Sequence, residues 1–94
     1  MIKRIVKLEF KKNKTKIFKE IFKENYMNIL SQEGCEKLEL LEDINTKNIF
    51  FTISIWKNEE HLNNYRNSRI FKDLWKKIKL NFCNEPNAWS TKII

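Results

Sequence analysis

The sequence predicts an α+β fold of ferredoxin-like βαββαβ order: one antiparallel sheet of four strands, helices on one face, and the second helix split in two. Three observations lead there. Apolar residues alternate with period two in short segments, they recur at spacings of three and four in longer ones, and these patterns follow the order strand, helix, strand, strand, helical region, strand. The 94 residues suit one domain over 1–94, since single cores organise about 50 to 200 residues. A chain this short buries only about two-thirds of its unfolded surface, so a partner subunit would add stability.

Ile2 to Phe10 places Ile2, Arg4, Val6, Leu8 and Phe10 on one face and Lys3, Ile5, Lys7 and Glu9 on the other. This is strand periodicity. Lys11 to Lys16 is a polar connector, after which Ile17, Phe18, Ile21, Phe22, Tyr26, Ile29 and Leu30 describe an amphipathic helix of about 17 residues. Gly34, the only glycine, is expected to stop it as a left-handed C-cap.

Cys35 to Asp43 reads as a strand with Leu38 and Leu40 on one face and Cys35 and Leu41 on the other, leading into a polar turn at Asn45, Thr46, Lys47 and Asn48. Ile49 to Trp56 is the strongest strand. Its Ile49, Phe51, Ile53 and Ile55 point one way and Phe50, Thr52, Ser54 and Trp56 the other, so both faces read as buried. Asn58 can cap a helix whose first turn holds Glu59 and Glu60, matching the positive helix end, with Leu62 and Tyr65 as its apolar positions. Ser68 starts a second helical piece carrying Ile70, Phe71, Leu74, Trp75, Ile78 and Phe82, with the break near Asn67. Pro86 ends it, and Ala88 to Ile93 is the last strand. The sheet face away from the helices needs a cover, for which the economical solution is a homodimer through two-fold sheet-to-sheet packing.

Composition excludes several classes. One glycine cannot build a phosphate-cradling loop, and one histidine with two distant cysteines, Cys35 and Cys83, cannot form a zinc finger or C-x-x-C pair, so no metal site is expected. No apolar run suits a signal peptide or approaches about 18 residues, which predicts a cytoplasmic protein with reduced thiols and no membrane contact. The net charge of +7 comes from 16 Lys and 3 Arg against 12 acids, in a chain where Lys, Ile and Asn, all from A/T-rich codons, make up 41 of 94 residues. Much of that charge is compositional background. Residues 1 to 23 sum to +7, 24 to 64 to −5 and 65 to 94 to +5, and no glycine-containing aromatic signature marks the third strand, so nucleic acid is not the expected partner.

The run Phe51-Thr52-Ile53-Ser54-Ile55-Trp56-Lys57-Asn58-Glu59-Glu60-His61-Leu62-Asn63-Asn64-Tyr65-Arg66-Asn67-Ser68, continued by Phe71-Lys72-Asp73-Leu74-Trp75 and preceded by the glycine-led strand Gly34-Cys35 to Leu41, resembles the antibiotic-biosynthesis-monooxygenase family. A strand ending in tryptophan, a short helix opening on acids and a break at serine carry the resemblance over about residues 3 to 93. It implies a dimeric α/β barrel. The haem-degrading branch would require an asparagine near Val6, a tryptophan at Tyr65 and a histidine at Trp75, none of which is present, so that activity is disfavoured. The resemblance instead implies a cofactor-free monooxygenase that oxidises an aromatic quinol or polycyclic phenol held in an apolar pocket. The strand tryptophan of that branch matches Trp56, whereas its asparagine four residues earlier is Thr52 here. The alternative is a non-catalytic aromatic-ligand-binding or stress-response module on the same scaffold.

Trp56, Tyr65, Phe71, Trp75 and Trp89 are candidates to line a flat pocket for a small aromatic ligand between sheet and helices, the alternative for each being an ordinary core position. Thr52 and Ser54 share the Trp56 face and can present hydroxyls to it, unless they bond to backbone. Tyr26 on the first helix can close the pocket or sit half-buried. His61 is the default general base, against a solvated histidine on an exposed helix. Tyr65 and Arg66 join it as catalytic candidates, with Arg66 either clamping a phenolate or carboxylate or pairing with Glu59 or Glu60.

Overall fold

The computed structural model describes residues 1–94. Its elements are β1 (Ile2–Glu9), α1 (Thr15–Leu30), β2 (Cys35–Glu42), β3 (Ile49–Trp56), α2 (Glu59–Arg66), α3 (Arg69–Lys79) and β4 (Asn87–Lys92). The strands form one antiparallel sheet in the order β2-β3-β1-β4, the ferredoxin-like arrangement with its second helix split. No helix is long and apolar enough to cross a membrane.

The local reasons for these elements are mostly side-chain hydrogen bonds to backbone. Asn58 Oδ1 accepts from the His61 amide at 2.9 Å and starts α2. Ser68 does two jobs. Its Oγ accepts from the Phe71 amide at 3.2 Å to start α3, and it donates to the Tyr65 carbonyl at 2.6 Å to close the end of α2. In the β2–β3 turn Asp43 Oδ2 accepts from the amides of Asn45 and Thr46 at 3.1 and 2.7 Å.

Three details differ from the sequence pattern. The expected connector is partly helical, with a 3₁₀ turn at Lys12–Lys14 and α1 starting at Thr15. That helix then stops at Leu30, well before Gly34, because Ser31 and Gln32 side chains donate to the Asn28 carbonyl and satisfy the end of the helix. Gly34 is still left-handed, at φ +85, but within the turn that the Cys35 amide closes on the Gln32 carbonyl. A Cβ there would collide with the His61 ring, so conformation and space both require glycine. Finally, β2 carries a bulge between Cys35 and Lys37, which pairs Cys35 with Trp56 and turns it to the helix side, opposite to simple alternation.

Leu8, Phe10, Phe18, Phe22, Ile29, Leu38, Phe50 and Ile78 form the buried core between sheet and helices. Phe10 follows β1 and bridges to Phe82, its ring stacked 4.2 Å from Phe18 and 5.0 Å from Phe82. Burying each such side chain stabilises the fold by about 1.5–3 kcal/mol. On the other sheet face Ile53, Ile5 and Trp89 stand in register across three strands, with Phe51 beside Leu41. Ile53 is buried by its neighbours, but Phe51 and Ile55 are half-buried and Trp89 and Leu41 are exposed. The second face of β3 is thus only partly covered. Trp89 belongs to this face and not to the helix side, which corrects its expected place in the pocket.

Candidate active site

Between the helix side of the sheet and the three helices lies a cavity of about 350 Å³, of whose 19 lining residues 14 are hydrophobic. Strand alternation supplies its floor. Arg4, Val6 and Leu8 from β1 and Thr52, Ser54 and Trp56 from β3 all point up into it, and α2 and α3 supply Tyr65, Arg66, Phe71, Leu74 and Trp75 as the roof. Ala88 and Ser90 on β4 share this sheet face yet are exposed, so the cavity opens along β4.

One wall is a chain of aromatic rings. Trp56 stacks on Tyr65 at 5.1 Å, Tyr65 meets Phe71 edge-on at 5.2 Å, and Phe71 stacks on Trp75 at 5.7 Å with only 10° between planes. Such mutual contacts hold flat surfaces in fixed orientation, suited to a planar ligand. The lone serine on the floor is fixed too: Trp56 Nε1 donates to Ser54 Oγ at 2.9 Å within the buried interior. Ser54 therefore keeps its own proton for another acceptor. Burial first, and the nearby Cys35 second, push the Tyr65 phenol well above its ordinary pKa, so it stays protonated and can donate.

Seven of the ten side chains singled out in the sequence meet at this cavity: Thr52, Ser54, Trp56, Tyr65, Arg66, Phe71 and Trp75. His61 does not line it. The imidazole packs over Gly34 at the start of α2, where it acts as a lid on the turn. Tyr26 lies apart as well, with its hydroxyl donating to the Leu38 carbonyl at 3.2 Å beside a separate surface hollow. The lining contains no Asp, Glu, His or Lys, so no side chain in it titrates near neutral pH as a base. Arg4 was not among the candidates, although one signal was available: it is the single charge on the otherwise apolar face Ile2, Val6, Leu8, Phe10.

Residues 1–77 match the family model for antibiotic biosynthesis monooxygenases. The chain belongs to that family. Among solved structures, an antibiotic biosynthesis monooxygenase superposes with a TM-score of 0.93 at 17% identity, covering 100% of this chain and 99% of that one. A conserved protein from Methanosarcina mazei Go1 gives 0.92 at 21% identity over 97% and 90% of the two chains. A protein from Mycobacterium tuberculosis gives 0.91 at 9% identity over 99% and 92%. Likeness at such low identity establishes the fold. No curated protein matches the sequence. For this member of the antibiotic biosynthesis monooxygenase family, the strand tryptophan at Trp56 and the break at Ser68 are the two sequence features that shape the cavity, one as floor and one by turning α3 over it.

Proposed function

We propose that this protein is a cofactor-independent monooxygenase that oxidises an aromatic quinol or polycyclic phenol in the cavity between sheet and helices. The observation that carries the proposal is the aromatic wall from Trp56 to Trp75 in a mainly apolar cavity whose charged and hydroxyl side chains are Arg4, Thr52, Ser54, Tyr65 and Arg66. The rings grip a planar substrate by its faces, and apolar walls exclude water from the reactive intermediate while admitting dioxygen. Tyr65, Ser54 and Thr52 are the donors available to its ring oxygens, and Arg66 to the anion formed on ionisation. For a substrate with a ring CH₂, both C–H bonds are replaced by a C=O bond: one atom of dioxygen enters the ring and the other leaves as water with the two hydrogens. The carbon is the four-electron reductant and dioxygen the oxidant, so no further co-reactant is needed.

The same proposal includes a cytoplasmic homodimer with the apolar sheet face of Ile5, Phe51, Ile53 and Trp89 as its interface, which would cover the side chains left half-exposed in one chain. Oxygen uptake by the purified protein with a panel of quinols and anthrones tests the activity. Uptake above the enzyme-free rate that is lost in Trp75→Ala is expected, whereas neither uptake nor ligand binding by any panel member would overturn it. Light scattering tests the dimer: twice the chain mass is expected, falling to one chain mass in Phe51→Glu, and a monomeric parent protein would remove this part.

A further inference from the structure

The cavity holds two formal charges, both positive, and neither is neutralised by the protein. Arg4 and Arg66 both line it, from β1 and from the last turn of α2, and no carboxylate lines it with them. The three ion pairs of the molecule join Lys19 to Glu42, Lys37 to Glu39 and Arg69 to Asp73. Of the three arginines, only Arg69 therefore has an acidic partner, and the Arg66 pairing with Glu59 or Glu60 that the sequence allowed is not formed.

Arg4 is also held in place. Its Nη1 donates to Ser90 Oγ at 2.9 Å across the β1–β4 pair, which fixes the guanidinium beside the open β4 side and leaves its other N–H groups unused by the protein. It is half-buried, and burial together with the positive charge of Arg66 pulls its pKa down, so the two guanidinium groups sense each other. Two like charges brought together at an apolar cavity without a counter-ion are unfavourable in the empty protein and become favourable when an anion enters.

Resting on the aromatic-ligand function proposed above, the geometry points to an anion-binding site formed by Arg4 and Arg66 at the mouth of the cavity, so that the ligand is an aromatic oxyanion, with its rings inside and its charged oxygens toward β4. The chemistry recognised is a delocalised oxyanion on a planar ring system, supplied either by a ring carboxylate or by an ionised phenol. An ionised phenol also accounts for the absence of a base from the lining, because the two cations lower the pKa of the phenol and its proton passes to solvent water at the open β4 side.

Quenching of tryptophan fluorescence on titration with 9-anthracenecarboxylate, 9-anthracenemethanol and 2-naphthol tests this. The carboxylate is expected to bind about tenfold or more tightly than the neutral alcohol, as charge-assisted bidentate contacts allow. Arg4→Gln and Arg66→Gln should each shrink that preference toward one, and so should added salt. Arg66 is exposed, so Arg66→Gln tests the site even if Arg4→Gln weakens folding. The absorbance of bound 2-naphthol separates the sources: ionisation at lower pH than in free solution assigns an ionised phenol, and unchanged ionisation beside a carboxylate preference assigns a ring carboxylate. Equal binding of carboxylate and alcohol, or a preference that survives both substitutions, overturns the anion site and leaves the aromatic cavity standing. Failure of all three probes to bind overturns the cavity function and the anion site together.

Discussion

The helix side of the sheet has two ends made from the same kinds of residue and used differently. At one end Phe10 and Phe50 are each at most 1% exposed, and the buried Asn48 is tied to the Phe10 backbone twice, its Nδ2 donating to the Phe10 carbonyl at 2.9 Å and its backbone carbonyl accepting from the Phe10 amide at 3.0 Å. At the other end Tyr65, Phe71 and Trp75 remain half-buried around open space, and of the four rings in that wall Trp56 alone is fully buried. The difference comes from the backbone above the sheet. α1 is one unbroken helix whose Phe18 packs directly on Phe10 and Phe50, whereas the break at Asn67 and Ser68 divides the roof beside Trp56 between α2 and α3. Aromatic residues close a core where a single helix can follow the sheet, and they line a cavity where the helix is broken.

Substitution at each end separates the two roles. Phe10→Ala removes a fully buried ring from the closed end and should cost about 3–5 kcal/mol in urea unfolding. Trp75→Ala at the open end should cost clearly less stability while abolishing ligand-induced fluorescence changes. Equal stability losses would erase the distinction. A smaller effect is expected from Ser54→Ala, which strands the buried Trp56 Nε1 proton: about 1–3 kcal/mol by the same measurement, with the Trp56 emission shifted. The smallest concerns alkaline pH. Folded protein holds the Tyr65 proton more tightly than the unfolded chain, so its contribution is level below the ordinary phenol pKa of 10 and stability falls as pH rises beyond it. Cys35, also raised by burial, adds a decline of the same sign from about its ordinary pKa of 9. Tyr65→Phe should remove the upper part of the alkaline loss in thermal melts at several pH values, and an unaltered profile would show that the phenol is not buried as described.

Much of the candidate site was legible because strand alternation is a strong rule. Once Trp56 faces the helices, Thr52 and Ser54 must as well, and period two along β1 put Arg4 with Val6 and Leu8. His61 was misleading because its chemistry is distinctive while its surroundings depend on a residue 27 positions earlier, Gly34, which no local pattern connects to it. Trp89 shows a different limit. Its alternation with Ala88 and Ser90 was readable, but not which parity faces the helices, since that follows from pairing with Ile5 on a strand at the far end of the chain.

By itself, then, the sequence determined the order of elements, the caps at Asn58 and Ser68, and the family, all of which rest on interactions within a few residues or on a shared motif. Tertiary structure alone decided that a bulge turns Cys35 inward, that His61 closes on Gly34, and that Arg4 and Arg66 face one cavity without a carboxylate. These depend on register and on the approach of segments distant in sequence, and periodicity carries no information about which distant residue will arrive opposite.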